Sequence, residues 1–253
     1  MDFELNPEFI SHSDLVFDIR NQFPVCGSTI AKSRNHIKVI EHNGIRFCVK
    51  SFQRLPFFRR LIYSLVRPTK AKRSYRYALR LLSMDIGTPC PVAYIDHYST
   101  WGLLTDSYYI SLYLDYDYTL ADVFTQSLQS NSFALQAFAQ FAWRGLHAKG
   151  VYHNDLTVNN VLIKQRGAEE LSFYLIDLNR ISFCTFISLG KGLKNFERLE
   201  ASSPQLTLLG YEYATLRCGN PNWDALMLGL IRVRYLFYRT ARRRIKARLL
   251  KVF

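Results

Sequence analysis

An α+β fold in two lobes, mainly β to about residue 111 and mainly helical from about 112 to 253, follows from three features of the sequence. The pair Asn43-Gly44 lies between two runs of alternating apolar and polar residues, the strongest short-range signal of a β-hairpin. Phe133 to Lys149 carries Leu135, Phe138, Phe141, Ala142 and Leu146 at helical spacing and is closed by Gly150, a residue suited to the left-handed position after a helix. Val161-Leu162-Ile163 and Leu171 to Ile176 are short apolar strands with Gly167 in the turn between them. A chain of 253 residues with 49% hydrophobic content is long enough for one domain of two packed subdomains and is too apolar for general disorder.

Taken in order, the elements place chemistry-bearing groups. Lys32-Ser33-Arg34-Asn35 reads as the turn between the first two strands. It is either a phosphate-contacting turn, using side-chain charge and backbone N–H groups, or an ordinary polar turn. His36 to Ile40 and Ile45 to Lys50 form the hairpin around Asn43-Gly44; Ile45, Phe47 and Val49 share one face, and Arg46, Cys48 and Lys50 share the other. Thr69 to Met84 predicts a helix with Ala71, Tyr75, Ala78, Leu79 and Leu82 on one side. The β-rich part runs to about Ser111, and a helical part follows.

The segment His153-Asn154-Asp155-Leu156-Thr157-Val158-Asn159-Asn160 reads H-x-D-L-x-x-x-N, and Asp177 closes the strand after it. Phosphoryl transfer needs a carboxylate to orient the attacking hydroxyl and oxygen ligands to hold Mg²⁺ against ATP phosphates. Asp155 is the candidate for the first task, and Asn160 with Asp177 for the second. Lys50 projects from its strand where a phosphate-binding lysine belongs, and Cys48 is small enough to lie over an adenine ring. Tyr113 and Leu114 fall near the expected adenine-contacting hinge, and His153 is expected to support the loop backbone.

These residues, with Val49-Lys50-Ser51-Phe52, Ala71 to Tyr75, Tyr152 to Leu156, Asn160 to Ile163, Leu175 to Arg180 and Leu193 to Leu199, resemble the lipopolysaccharide kinases of the Kdo/WaaP type, within the protein-kinase-like superfamily. The resemblance spans about residues 25 to 215. It implies a bilobal protein-kinase-like fold with a short C-lobe. It also implies ATP-dependent phosphorylation of a Kdo or heptose hydroxyl of the lipopolysaccharide inner core, by a cytoplasmic enzyme working at the inner membrane. Thr157 stands where protein kinases carry a lysine, D-F-G becomes Asp177-Leu178-Asn179, and no G-x-G-x-x-G loop or A-P-E signature is present. Asn179 is expected to accommodate a left-handed turn. The helix after Lys50 contains no acidic residue, although protein kinases pair this lysine with a helix glutamate. Lys50 therefore pairs elsewhere, Asp177 being one choice, or the helix has another task; a catalytically inactive, membrane-associated scaffold is the alternative function.

Net charge is +13 and unevenly placed. No acid occurs from His42 to Met84, where Arg54, Arg59, Arg60, Arg67, Lys70, Lys72, Arg73, Arg76 and Arg80 interleave with Leu55, Phe57, Phe58 and Leu61 to Val66. None follows Asp224, where Arg232, Arg234, Arg239, Arg242, Arg243, Arg244, Lys246, Arg248 and Lys251 surround Tyr235, Leu236, Phe237 and Tyr238. Basic residues beside bulky apolar ones suit an anionic membrane surface; solvated helix faces are the plainer alternative. No nucleic-acid module accompanies the charge, which disfavours that partner. The sign suits an anionic glycolipid acceptor, lipid A bearing Kdo or a core heptose, over a cationic one; Arg180 is either a contact for its charge or, the plainer reading, a surface or scaffold residue. No obligate protein partner is expected. Five dispersed cysteines without C-x-x-C spacing read as reduced thiols. Met1 to Glu4 lacks a secretory pattern, and no apolar run reaches the roughly 20 residues of a membrane span.

Overall fold

The computed structural model describes residues 1–53, 56, 62–63, 67–167 and 170–249. Arg54, Leu55, Phe57, Phe58, Arg59, Arg60, Leu61, Ser64, Leu65, Val66 and Lys251, and the side chains of Lys246 and Arg248, lie outside the described residues. The chain divides into two compact units, Met1–Asp115 with Ile176–Asn179, and Tyr116–Leu175 with Arg180–Phe253.

The first unit is built on a six-stranded antiparallel sheet of β1 (Asp2–Leu5), β2 (Ser28–Lys32), β3 (Asn35–His42), β4 (Ile45–Phe52), β5 (Pro91–Tyr98) and β6 (Leu104–Leu112), in the order β1-β5-β6-β4-β3-β2. Asn43 and Gly44 form the two-residue turn with φ of 51° and 75°, the paired positive values that a tight hairpin demands. Phe47 and Val49 are fully buried on one face, under α1 (Ser13–Phe17) and α2 (Ile19–Val25), whose Leu15, Val16 and Ile19 are also fully buried. Full burial of each such side chain is worth about 1.5–3 kcal/mol, so these two short helices are held by packing. Ile45 is at the strand end and exposed, unlike its two face-mates.

Helix α3 (Lys70–Leu82) begins at Thr69, whose hydroxyl accepts from the Lys72 N–H. Its buried stripe is Ala71, Ser74, Tyr75, Ala78 and Leu81, so Leu79 and Leu82, expected inside, are exposed. The correction follows from helix rotation: Ser74 and Leu81 lie on the flank that meets the sheet.

The second unit contains small sheets. β7 (Tyr118–Thr119), β9 (Val161–Gln165) and β10 (Leu171–Leu175) form one, and β8 (Val151–His153) pairs with β11 (Ile181–Phe183) in another. Its helices are α4 (Leu120–Thr125), α5 (Leu128–Gln140), α6 (Leu189–Lys194), α7 (Ser203–Leu216) and α8 (Pro221–Leu249). The helix expected from Phe133 starts earlier, because the Ser127 side chain accepts from the Ser130 N–H and caps α5. It continues through a π-helical stretch at Phe141–Leu146 and a last tight turn at His147–Lys149. Gly150, at φ 73°, ends it as expected. Among the described residues, no helix is long and apolar enough to cross a membrane.

Candidate active site

In the first unit, the antiparallel register of β4 puts Cys48 and Lys50 on the face opposite Phe47 and Val49. Lys50 Nζ donates to Asp177 Oδ1 at 2.6 Å, with the two side chains 13% and 28% exposed. The carboxylate that serves this lysine thus comes from Asp177, and α3 supplies none. Two basic side chains of α3 turn instead to β1: Lys72 pairs with Asp2 at 2.9 Å, and Arg76 pairs with Glu4. The Thr69 hydroxyl donates to Asp96 Oδ2 at 2.6 Å, and Ser107 donates to the other oxygen at 2.6 Å. Asp96 is fully buried, and burial raises its pKa to about 6 despite those two donors. A helix held in this way is anchored to the sheet.

Asp177 itself takes the left-handed conformation, at φ 56°. The sequence suggested Asn179 for that strained position. Instead Asn179 lies in a short 3₁₀ turn, Leu178–Arg180, and its Nδ2 donates to Asp177 Oδ1 at 2.7 Å. Aspartate tolerates positive φ better than most residues because its short polar side chain can bond locally. Burial pushes the Cys48 thiol up to about 11, so this position offers a small neutral surface beside Lys50.

The remaining candidates of this unit are more open. Ser33 and Arg34 are the turn between β2 and β3, and both Lys32 and Arg34 are exposed. The Tyr113 N–H donates to the Arg46 carbonyl at 2.8 Å, and the Arg46 guanidinium lies 4.8 Å from the Tyr113 ring centroid while bonding both oxygens of Asp115. Tyr113 and Arg46 border a cavity of about 670 Å³, with Ser28, Val39 and Glu41 among its other walls. Cys48, Lys50, Lys32 and Arg34 do not line it.

In the second unit, Asp155 sits between two arginines. Arg180 Nη1 donates to Oδ2 at 2.8 Å, and Arg198 Nη1 donates to Oδ1. Asn160 Nδ2 donates to the Asp155 carbonyl at 2.9 Å, which closes the loop on itself. That bond leaves the acceptor oxygen of the Asn160 amide, and not a donor, as the end suited to a cation. Arg180 is fixed by its backbone: its carbonyl accepts from the Asn154 N–H at 3.0 Å and from Asn154 Nδ2 at 2.8 Å. Sequence reasoning missed Arg198. It lies within the Leu193–Leu199 segment, but its partner is 43 positions away.

A buried network supports this loop. His153 is fully buried, and its Nδ1 accepts from the Asp155 N–H at 3.2 Å, the supporting task expected of it. Asn195 Nδ2 donates to the His153 carbonyl at 2.7 Å, while its Oδ1 bonds His147 Nε2 at 2.9 Å. His147 Nδ1 in turn meets the Tyr213 hydroxyl at 2.6 Å. Burial lowers the His147 pKa to about 4, so the ring is neutral near pH 7 and can accept at one nitrogen while donating at the other.

Asp177 in the first unit offers a carboxylate and Asn160 in the second an amide oxygen, and each is the kind of oxygen ligand that Mg²⁺ takes. Among the described residues, no group of three His, Cys, Asp or Glu side chains forms a metal cluster.

A solved structure of WaaP in complex with acyl carrier protein superposes with a TM-score of 0.61 at 16% sequence identity, covering 93% of this chain and 98% of that one. At that identity the likeness is one of fold, and the fold is kinase-like. No curated protein matches the chain. The family model for the lipopolysaccharide kinase (Kdo/WaaP) family, phosphotransferases that use ATP and a sugar hydroxyl acceptor, matches residues 57–227. The chain belongs to the lipopolysaccharide kinase (Kdo/WaaP) family.

Proposed function

We propose that the protein transfers the γ-phosphoryl group of Mg·ATP to a Kdo or heptose hydroxyl of the lipopolysaccharide inner core, at the anionic cytoplasmic surface of the inner membrane. The observation that carries this reading is the Lys50–Asp177 bond at 2.6 Å. It supplies the carboxylate that the helix after Lys50 lacks, and so favours a working site over an inactive scaffold. In this reading Lys50 contacts the ATP phosphates, with Lys32 and Arg34 as further cationic contacts. Cys48 and Tyr113 contribute to the adenine site. Asp177 and Asn160 would hold Mg²⁺ by their oxygens. The bound ion would neutralise charge building on the transferring phosphate. Asp155 orients the acceptor hydroxyl and accepts its proton, a contribution typically of about 10²–10⁴-fold.

Helix α8 supports the membrane part. Trp223, Leu226, Leu230, Val233 and Phe237 are all exposed and recur at intervals of three and four, so they form one outward stripe. Arg242, Arg243 and Arg244 follow on the same helix and are exposed. Tyr235 is not part of the stripe: it is half-buried, with the Arg198 and Arg232 guanidiniums 5.9 and 5.6 Å from its ring. Each basic residue near an anionic surface contributes about 1 kcal/mol. WaaP, the neighbour in fold, was solved with acyl carrier protein, which sits poorly with the expectation of no obligate protein partner. A protein partner on the same outward stripe is the second reading.

The deciding experiment supplies purified protein with Mg·ATP and lipid A bearing Kdo, with and without core heptose, and measures phosphate on the sugar by mass spectrometry. Transfer that falls about 10²-fold or more in Asp155→Asn, with ATP binding retained, is expected. Nucleotide binding without any transfer by the unaltered protein would instead establish the inactive scaffold. Vesicle sedimentation tests the location: anionic vesicles should bind and neutral ones should not. Replacing Arg242, Arg243 and Arg244 together by Gln should weaken that binding. Equal binding to both vesicle types would exclude the membrane reading, and stoichiometric co-purification of an acyl carrier protein would favour the second.

A further inference from the structure

Asp155 carries more positive charge than it can neutralise. Two guanidiniums meet one carboxylate, so the cluster has a formal charge of +1, and Arg180 and Arg198 remain 50% and 33% exposed. Each carboxylate oxygen has two lone-pair directions and each guanidinium five N–H groups. One bond from each arginine to Asp155 therefore leaves room for a hydroxyl at the carboxylate, and leaves further donors on both arginines.

Neither arginine is loosely placed. The Arg180 backbone is tied to Asn154, and Asn154 Nδ2 also donates to Ser182 Oγ at 2.7 Å. The Arg198 guanidinium is braced by the Tyr235 ring, and the neighbouring Glu197 carbonyl accepts from Arg232 Nη1 at 2.6 Å. Planar, pre-oriented guanidinium groups recognise carboxylate and phosphate better than a flexible ammonium does.

We infer that Arg180 and Arg198 form an acceptor-anion subsite: they bind a carboxylate or phosphate on the acceptor close to the hydroxyl that Asp155 receives. This rests on the functional reading above and names what its acceptor must carry. An anion within about one sugar ring of the reacting hydroxyl meets the spare donors, satisfies the unbalanced charge, and brings the hydroxyl to Asp155. The arginines are thus specificity residues, and they also position Asp155.

The test compares three acceptors: lipid A bearing Kdo and core heptose, the same glycolipid with its sugar carboxylates as methyl esters, and the same glycolipid without lipid A phosphates. The unaltered enzyme, Arg180→Gln, Arg198→Gln and the charge-retaining Arg180→Lys and Arg198→Lys are assayed on each. The unaltered enzyme should prefer one anionic form by about 10–100-fold in kcat/KM, the range of one charge-assisted bond. The acceptor whose removal of charge hurts identifies the carboxylate or the phosphate as the ligand. The Gln variants should lose most of that discrimination, chiefly by raising KM for the charged acceptor, while the Lys variants keep part of it. A fall in kcat alone, equal on all acceptors, would mean that the arginines only position Asp155 and would overturn the subsite. Activity by the unaltered enzyme without any preference among acceptors would also overturn it. Failure of the unaltered enzyme on every acceptor would overturn the functional reading and this inference together. Thermal melting separates folding defects, and the Lys variants keep the test valid if a Gln variant does not fold.

Discussion

Acidification should destabilise the second unit through His147 and stabilise the first through Asp96. Burial lowers the His147 pKa from 6.5 to about 4. The unfolded chain then binds a proton that the folded chain refuses, so stability is complete above about pH 6.5 and is lost as pH falls towards 4. The shift is worth about 3 kcal/mol at 1.36 kcal/mol per unit. Asp96 behaves in the opposite sense. Burial raises its pKa from 3.8 to about 6, so its contribution is present at low pH and is lost as pH rises through 6, again by about 3 kcal/mol. The perturbations are His147→Gln, which keeps hydrogen-bonding groups but cannot titrate, and Asp96→Asn. The assay is urea unfolding from pH 4 to 7.5. Trp143 emission reports the second unit, since its ring packs against Tyr213 and lies 4.2 Å from the Arg217 guanidinium. His147→Gln should flatten the acid-side loss seen by Trp143, and Asp96→Asn should remove the loss of first-unit stability towards neutral pH. An unaltered acid-side slope in His147→Gln would refute the assignment of that proton to the buried network.

Asp177→Ala should weaken nucleotide binding in the presence of Mg²⁺ more than in its absence; isothermal titration with and without the ion checks this, and an unchanged metal dependence would refute the ligand assignment. Lys50→Met should abolish transfer while the protein still folds and melts cooperatively, because Asn179 Nδ2 still donates to the Asp177 carboxylate that loses its lysine. Full activity in that variant would move the phosphate contact to Lys32 or Arg34. A Cβ at Gly192 would overlap the Tyr213 hydroxyl, which bonds His147. Gly192→Ala should therefore destabilise the protein by about 1–3 kcal/mol in urea unfolding, and a neutral result would mean that Tyr213 relaxes freely.

The features legible in the sequence are those whose cause lies within a few residues. Asn43-Gly44 turns the hairpin because only such pairs tolerate two successive positive φ values, and Gly150 stops its helix for the same steric reason. Alternation along β4 separates Phe47 and Val49 from Cys48 and Lys50, since the side-chain period of a strand is two. The spacing from His153 to Asn160 already contains the loop that His153 and Asn160 close. Even local rules fail when two residues of similar propensity compete, as Asp177 and Asn179 did for the left-handed position.

What only the tertiary structure decided are the partners. Lys50 and Asp177 are 127 positions apart, and Arg198 reaches Asp155 from a segment with no sequence periodicity to announce it. The Asp2–Leu5 strand joins the sheet edge through β5 and gives α3 the acidic partners that its own sequence lacks. The outward apolar stripe of α8 is written in its spacing, but spacing does not say which stripe a helix buries. Asp224, Ala225 and Leu228 turn inward instead. Pairing of charges across the fold depends on register and packing, which sum many weak contacts from distant segments; no short window of sequence contains them.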